Sequence, residues 1–486
     1  MSGFLVVAPV LVPLAFALIT ALAHGRPQRV ANLSLAGAFA LLACTLALLV
    51  RVVRDGVQRS AFGGWDAPFG IEFVVDPLSA SMAVITALMG VAALVFQRSS
   101  ADPAPEGPTL HPLVHALLAG VGGAFVTGDL FNLYVWFEVM LLASLGLLAL
   151  GMARRHLEAT LKYFVLNAVG TLLLLIGVAS VYAMTGHVNY DALLSASGGI
   201  EPMRLLPVVA LLCLAFLIKG GAFPVFAWLP ASYHTLPAPL LALFAGLLTK
   251  VGVYAVLRML ADVFVAVPDV AYQALGWIAV ATMITGVLGA AYHWDMRRIL
   301  SFHIVSQIGY MLLGIALDST QGTVGTVFYI LHHIVVKANL FLIAAIVFAL
   351  TGSYDLRRAG GLWKARPWLG VLFLIPALSL VGIPPLSGFW AKYIVVREAL
   401  TQGQVVWAAS ALLVGFLTMY SMMKIWMQAF WAKHPDDAWT PPADVRLGPA
   451  WVVTVGLAAI TLVIGLMPQP LYVFAEEAAR VMGAGS

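Results

Sequence analysis

Charge is scarce in this 486-residue chain: Asp, Glu, Lys and Arg together make up 10% of it, against 62% hydrophobic residues. A soluble chain of this length carries about a quarter charged residues, so a large soluble all-α domain is excluded. Cysteine is nearly absent as well. Cys44 and Cys213 both lie in apolar runs, which implies neither a disulfide nor a cysteine-based metal framework. No nucleotide-binding glycine loop, metal-ligand constellation or nucleophile–base pair stands out, so no cofactor and no metal are expected. The net charge of +4 comes from basic residues scattered through short loops, not from a nucleic-acid-binding patch. Met1–Ala23 lacks a basic leader region and a clear cleavage site, and is expected to persist as a first helix.

What the chain has in abundance is apolar runs of the roughly 20 residues needed to cross a bilayer, about fourteen of them. Numbered in order, the odd loops between them hold Arg26, Arg29, Arg98, Arg154, Arg155, Lys162, Arg297, Arg298, Arg357, Arg358, Lys364, Arg366, Lys433 and Arg446. The even loops hold only Arg51, Arg54, Arg59, Arg204, Arg258 and Arg397. An excess of Lys and Arg marks cytoplasmic loops, so both termini are expected on the non-cytoplasmic face.

The sixth and eleventh runs match at an offset of 166 residues (329 − 163). Tyr163-Phe-Val-Leu-Asn167, closing at Thr185-Gly186, answers to Tyr329-Ile-Leu-His-His333, closing at Thr351-Gly352. After a slip of two residues, Tyr190-Asp191 matches Tyr354-Asp355. Runs five apart cross the bilayer in opposite senses, so the repeat is inverted, an architecture in which paired broken helices flank the transport path. Two candidate breaks are present: Lys219-Gly-Gly-Ala-Phe-Pro224 in the seventh run and Gly382-Ile-Pro384-Pro385 in the twelfth. Proline inside a helix removes a backbone bond and clashes with the preceding turn.

Only six charged residues sit deep in apolar runs: Glu138, Lys219, Lys250, Lys337, Lys392 and Lys424. A charge at the bilayer centre costs about 3 kcal/mol even on the milder scales, so each needs a reason to be there. Glu138 beside a lysine could exchange a proton at modest cost, because burial disfavours its charge while the lysine favours it. The bland alternative is a structural ion pair. Lys219 and Lys250 have apolar sequence on both sides, whereas Lys424 lies near a helix end and could snorkel to the interface. His333 and Lys337, four residues apart, share a helix face with Tyr329 one turn earlier, and His332 points about 100° away. Lys392 follows the second break. His234, in a linker where turn formation explains a polar residue, and His303, beside small polar residues, are secondary candidates with Lys424.

These motifs resemble a known family. Asp129-Leu-Phe…Phe137-Glu138, Lys219-Gly-Gly-Ala-Phe-Pro-Val-Phe-Ala-Trp-Leu-Pro230 and His234…Pro239…Lys250-Val-Gly-Val-Tyr…Arg258 are similar to the antiporter-like family. So are Ser306-Gln-Ile-Gly-Tyr310 and Gly382-Ile-Pro-Pro-Leu-Ser-Gly-Phe-Trp-Ala-Lys392. That family comprises proton-pumping membrane subunits of respiratory complex I, their hydrogenase relatives and the large subunits of Mrp cation/proton antiporters. Within it, Phe302–Tyr310 and His332–Lys337 look most like the D-type Mrp subunit.

The resemblance implies an all-α polytopic membrane protein of about 14 transmembrane helices, with two inverted five-helix repeats and discontinuous helices 7 and 12. Its parts would be N-terminal helices 1–3 (1–109), a first repeat (110–262), a second (263–432) and C-terminal helix 14 (433–486). It implies a proton path through Glu138, Lys219, Lys250, His332, His333, Lys337 and Lys392, with Glu138 and Lys219 as an ion pair. It also implies a place in a multisubunit Na+/H+ antiporter of a bacterial or archaeal cytoplasmic membrane, beside a longer homologous A-type Mrp subunit and small hydrophobic subunits. A C-terminal amphipathic arm is expected to be absent. The alternative is a pumping subunit of a redox complex, either NADH–quinone oxidoreductase or a membrane hydrogenase. A self-sufficient transporter and a non-transporting scaffold are the remaining readings.

Overall fold

The structure, a computed structural model, describes residues 2–23, 27–65, 67, 70–264, 267–442 and 444–483. Met1 and Arg26, counted above, lie outside the described residues. Lipid offers the backbone no hydrogen-bond partners, so apolar sequence closes its bonds within helices. Helices α1 (Ser2–Leu22) and α2 (Pro27–Asp55) pack on each other and on α4 (Leu110–Val126) and α3 (Pro77–Phe96) respectively. Helix α3 begins where the Asp76 carboxylate accepts the Ser79 backbone N–H, with Pro77 at the first helical position. Between α2 and α3 lies a two-stranded antiparallel hairpin, β1 (Gln58–Ala61) and β2 (Glu72–Val75), a small exception to the all-helical expectation.

Helix α5 (Leu130–Ala149), capped by Asp129, leads into α6 (Arg154–Thr185), and the short α7 (Tyr190–Ser197) into α8 (Pro202–Gly220). Beyond the first break come α9 (Trp228–Ser232), α10 (Ala238–Leu243) and α11 (Thr249–Arg258), the last two joined by a π-helical turn, Phe244–Leu248. Then follow α12 (Asp269–Tyr292), α13 (Met296–Ala316) and α14 (Thr320–Thr351). The small α15 (Leu362–Ala365) precedes α16 (Pro367–Val381), the second break, α17 (Ser387–Thr401) and α18 (Val405–Ile425). Helices α19 (Gly448–Leu466) and α20 (Gln469–Gly483) close the chain. Twelve helical stretches among the described residues are long and apolar enough to cross a membrane, α10 and α11 counting together as Ala238–Val263; α4 and α16 are shorter apolar helices. The chain is a mostly helical, polytopic membrane protein.

Helix α14 is the axis of the second half. Every residue from Val324 to Val347 is buried, and the helix packs against α3, α10, α13, α16, α17, α19 and α20. A helix buried on every face belongs inside a bundle, whereas α6 keeps Leu157, Leu161, Phe164, Val165 and Leu172 exposed to the outside.

Two expectations change. The segment 433–486 holds two helices, because Pro468 follows the end of α19 and the chain restarts as α20. Helix α20 buries Ala475, Ala478, Ala479 and Met482, one amphipathic stripe, and Tyr472 donates to Gln321 at the start of α14 (3.1 Å). A short C-terminal amphipathic helix is therefore present.

The loop register around the two matching helices also differs from the sequence pairing. Leu130 N–H donates to Val188 O at 2.8 Å and Tyr190 N–H to Gly128 O at 2.9 Å. At 166 residues further, Met296 N–H donates to Tyr354 O at 2.9 Å and Leu356 N–H to Trp294 O at 3.0 Å. The Thr185 hydroxyl donates to Val181 and His187 carbonyls, and the Thr351 hydroxyl to those of Val347 and Ser353. The offset stays constant, so Tyr190 answers to Leu356 and the two-residue slip is removed. Backbone bonds fix this register; side-chain identity does not.

Candidate functional site

Lys219 occupies the last turn of α8, which stops because Gly221 turns left-handed (φ 74°). The Ile218 carbonyl, which accepts Gly221 N–H at 3.2 Å, also takes the Trp228 indole N–H at 3.0 Å, and Phe223 N–H finds the Thr282 hydroxyl at 3.0 Å. The second break is built alike. Gly382 (φ 96°) ends α16, and the freed Val381 carbonyl accepts the Lys392 ammonium at 2.9 Å. The Ser379 hydroxyl accepts Gly388 N–H at 3.1 Å and lies 2.9 Å from the Ser387 hydroxyl, which in turn is 3.2 Å from His332 Nδ1. Broken helices persist in lipid only where side chains or water take up the freed backbone groups, and here the side chains do so.

Glu138 and Lys219 are not in direct contact, contrary to the ion pair that the resemblance implied. Phe137 turns its ring toward α8, stacking on Phe216 at 6.0 Å and lying 5.5 Å from the Lys219 ammonium. The next residue on a helix points about 100° away, so Glu138 is carried aside. Lys219 instead donates to the Thr171 hydroxyl on α6 at 2.8 Å, and Glu138 Oε1 is enclosed without a hydrogen-bond partner in the protein. The two charges still interact through space.

Helices α8 and α11 touch backbone to backbone. A side chain at Gly252 would collide with the backbone of Gly220 and Phe216, the close approach that small residues permit between membrane helices. This contact sets Lys219 and Lys250 on adjoining helices. Lys250 is fully buried and donates to Ala245 O at 2.6 Å, inside the π-helical turn. Such turns interrupt the regular bond ladder and are frequent at functional sites. Lys337, also fully buried, has no hydrogen-bond partner in the protein and lies 5.8 Å from the Phe341 ring. Lys250 acts electrostatically on Lys337, and His333 feels Lys250, Lys337 and Lys392.

Around these lysines, Thr249 Oγ1, both ring nitrogens of His303 and His333, Ser306 Oγ, Gln307 Nε2 and both amide atoms of Asn339 are buried without protein partners. Tyr329 donates to Gln307 Oε1 at 2.5 Å. Buried polar atoms are normally paired, so a file of orphans along α11, α13 and α14 calls for bound water. Thr249 and Asn339 were not singled out from the sequence, although Thr249 adjoins Lys250; Gln307 lies in the Ser306–Tyr310 motif quoted above.

The secondary candidates divide. Lys424 donates to the Ala291 and His293 carbonyls at 2.7 and 2.6 Å, closing the C-terminal end of α12. His234 lies 2.9 Å from Pro230 O through Nδ1 and 3.3 Å from an Arg298 nitrogen through Nε2. Arginine only donates, so Nε2 accepts and the proton sits on Nδ1. One cluster was not assembled from the sequence, although Tyr254 and Arg258 stand in a motif quoted above. Arg258, counted above with loop arginines, is 5% exposed on α11 and pairs with Asp76 at 2.5 Å and Asp262 at 3.0 Å. It also donates to the Tyr254 and Ser79 hydroxyls, and Tyr254 donates to Phe125 O. Beside that motif, the Asp-Pro helix start at Asp76 was its local signal. No group of three His, Cys, Asp or Glu able to hold a metal occurs among the described residues.

A polytopic bundle with two interrupted helices and lysines strung between them defines a membrane component of the charge-translocating class. Across residues 127–419 the chain matches the family described as NADH:quinone oxidoreductase/Mrp antiporter, transmembrane, and it belongs to that family. It is 40% identical to the D component of a Na+/H+ antiporter of Alkalihalophilus pseudofirmus, over 98% of this chain and 96% of that one. It superposes on a chain of the Mrp complex from Dietzia sp. DQ12-45-1b with a TM-score of 0.90 at 32% identity, covering 99% and 97%. A chain of respiratory complex I from Thermus thermophilus gives a TM-score of 0.85 at 26% identity, covering 99% and 100%.

Proposed function

We propose that the chain is the proton-translocating subunit of a multisubunit Na+/H+ antiporter, part of a transporter and not an enzyme. The observation that carries this reading is the row of lysines, with Lys219, Lys250 and Lys337 buried and none bonded to a carboxylate. A structural role would pair such charges, because an unpaired buried ion is expensive. A translocating role needs them unpaired and close enough to sense one another. Like charges on neighbouring helices, about 9 Å apart at an effective dielectric near 20, repel by about 2 kcal/mol, so loading one site unloads the next by more than tenfold.

In this mechanism Glu138 biases Lys219 at the first break. The proton charge then moves by way of Lys250 to the His333–Lys337 pair, and Lys392 ends the row at the second break. His332, held against Ser387, sets the stance of that break. The freed carbonyls at Ala245 and Val381 hold the ammonium groups of Lys250 and Lys392 without neutralising them. Proton movement along this row drives cation export through the assembly. The two halves, 110–262 and 263–432, act as inverted repeats, and both termini lie outside a bacterial or archaeal cytoplasmic membrane. The partners are a longer homologous A-type Mrp subunit and several small hydrophobic subunits, a reading supported by the likeness to D-type antiporter chains.

The second reading, a pump module of a redox complex, is favoured by the likeness to the complex I chain. Pull-down of the tagged chain in mild detergent, with mass spectrometry of its companions, separates the two. Small hydrophobic subunits with one long antiporter-like chain support the antiporter; flavin- and iron–sulfur-bearing companions overturn it.

A further inference from the structure

A cleft of about 490 Å³ opens where the first turns of α6, the segment around α9 and the junction of α12 with α13 meet. Three permanent cations face it, Arg155 and Lys162 from α6 and Arg298 from α13, against one carboxylate, Glu158. Lys162 already holds that carboxylate at 2.6 Å. Arg155 and Arg298 have no carboxylate within ion-pair distance among the described residues; Arg155 Nε has only His156 Nε2 at 3.4 Å, and Arg298 only the neutral His234. Burial and the Arg298 charge hold the His234 imidazole well below its usual proton affinity, at about 4, so it does not add a fourth cation. Two guanidinium groups thus converge on one cleft with their charge uncompensated by protein. Planar, multi-donor guanidinium is the side chain best matched to phosphate oxygens.

Apart from Thr235 and the two histidines, the rest of the cleft is apolar. Phe226 and Phe302 stand edge to face at 6.5 Å, and His293 stacks on Phe302 at 5.0 Å. Beyond the cleft residues Glu158 and Lys162, the exposed side chains of Leu161, Val165, Val169 and Leu172, spaced three or four apart, continue on the adjoining face of α6 into the membrane-crossing part of that helix. A free phosphate would use the cations and leave this track bare. A phospholipid would use both. We infer that the cleft binds the phosphate headgroup of an anionic phospholipid, held by Arg155 and Arg298, with an acyl chain lying along the Leu161–Val165–Val169 face. Basic clefts between helices at the Lys/Arg-rich end of a membrane protein are suited to such headgroups.

The occupant would sit against His234 and the segment that follows the Lys219 break, so the site adjoins the proposed path without containing any of its charges. The test uses the assembled complex in nanodiscs with photoreactive phosphatidylglycerol, its diazirine on the acyl chain, and peptide mapping of the labelled residues. Labelling of α6 between Leu161 and Leu172 is expected. The double variant Arg155→Gln/Arg298→Gln should weaken it about 30-fold, at roughly 5-fold for each cation lost. The Arg155→Lys/Arg298→Lys pair should restore most of it, which separates charge from folding. Arg397→Gln, on α17, should change nothing. Unchanged labelling in the Gln double variant overturns the inference, as does equal labelling by a phosphatidylcholine probe. Displacement of the probe by millimolar inorganic phosphate would make this a free-phosphate site and overturns it too.

Discussion

Lys250→Met is the substitution whose effect on stability and on transport should diverge most. Methionine matches the lysine stem in length and shape, so no cavity opens. The substitution removes one charge-assisted bond, from Nζ to Ala245 O at 2.6 Å, a bond contributing about 1.5–3 kcal/mol. It also removes a fully buried charge, whose presence near a bilayer centre costs about 2.5–3.5 kcal/mol. The balance is zero to about 2 kcal/mol in favour of the variant, a shift of no more than a few degrees in Tm. Transport should meanwhile be abolished, because the row loses its middle site. The assay pairs scanning fluorimetry of the purified complex with sodium-driven quenching of a pH dye in proteoliposomes. A variant that unfolds several kcal/mol early would mean that Lys250 is structural. One that transports normally would refute the path through it.

Arg258→Met should do the opposite, lowering stability by about 3–5 kcal/mol by stranding the buried Asp76 carboxylate beside Asp262. Denaturation of the variant complex reads this directly, and Asp262→Asn should cost less because Asp262 is 27% exposed. Lys424→Met removes two bonds from the end of α12 and should lower Tm while leaving antiport in surviving complexes near normal. Loss of antiport at unchanged Tm would place Lys424 in the path. His234 binds its proton less readily in the folded protein, at about 4, than in an unfolded chain near 6.5. Stability linked to it is full above pH 6.5 and lost as pH falls toward 4. His234→Gln should flatten that part of the stability–pH curve, and an unchanged curve would show that His234 is not held neutral.

The buried lysines were legible because lysine in an apolar run conflicts with its surroundings on any scale. The breaks were legible from Gly-Pro chemistry: Gly221 and Gly382 supply the left-handed turn, and α8 and α16 end there. The π-helical turn Phe244–Leu248 was not, since an inserted residue in the bond ladder leaves no mark on an all-apolar run. Arg258 was misplaced for a related reason. A charge near the end of a run looks like a loop residue until Asp76, 182 positions earlier (258 − 76), is brought beside it. Helix α20 carried a readable signal in Ala475, Ala478, Ala479 and Met482, spaced i, i+3, i+4 and i+7, but it is too polar to register as a span. The Glu138–Lys219 pairing failed on rotation alone: Phe137, not Glu138, faces α8.

The most direct measurement is sodium-driven proton movement by the assembled complex carrying Glu138→Ala or Lys219→Ala, reconstituted beside the unaltered complex. Both variants are expected to assemble with every companion subunit and to show no antiport. Full activity in either, with assembly intact, would contradict proton translocation along this row of buried charges.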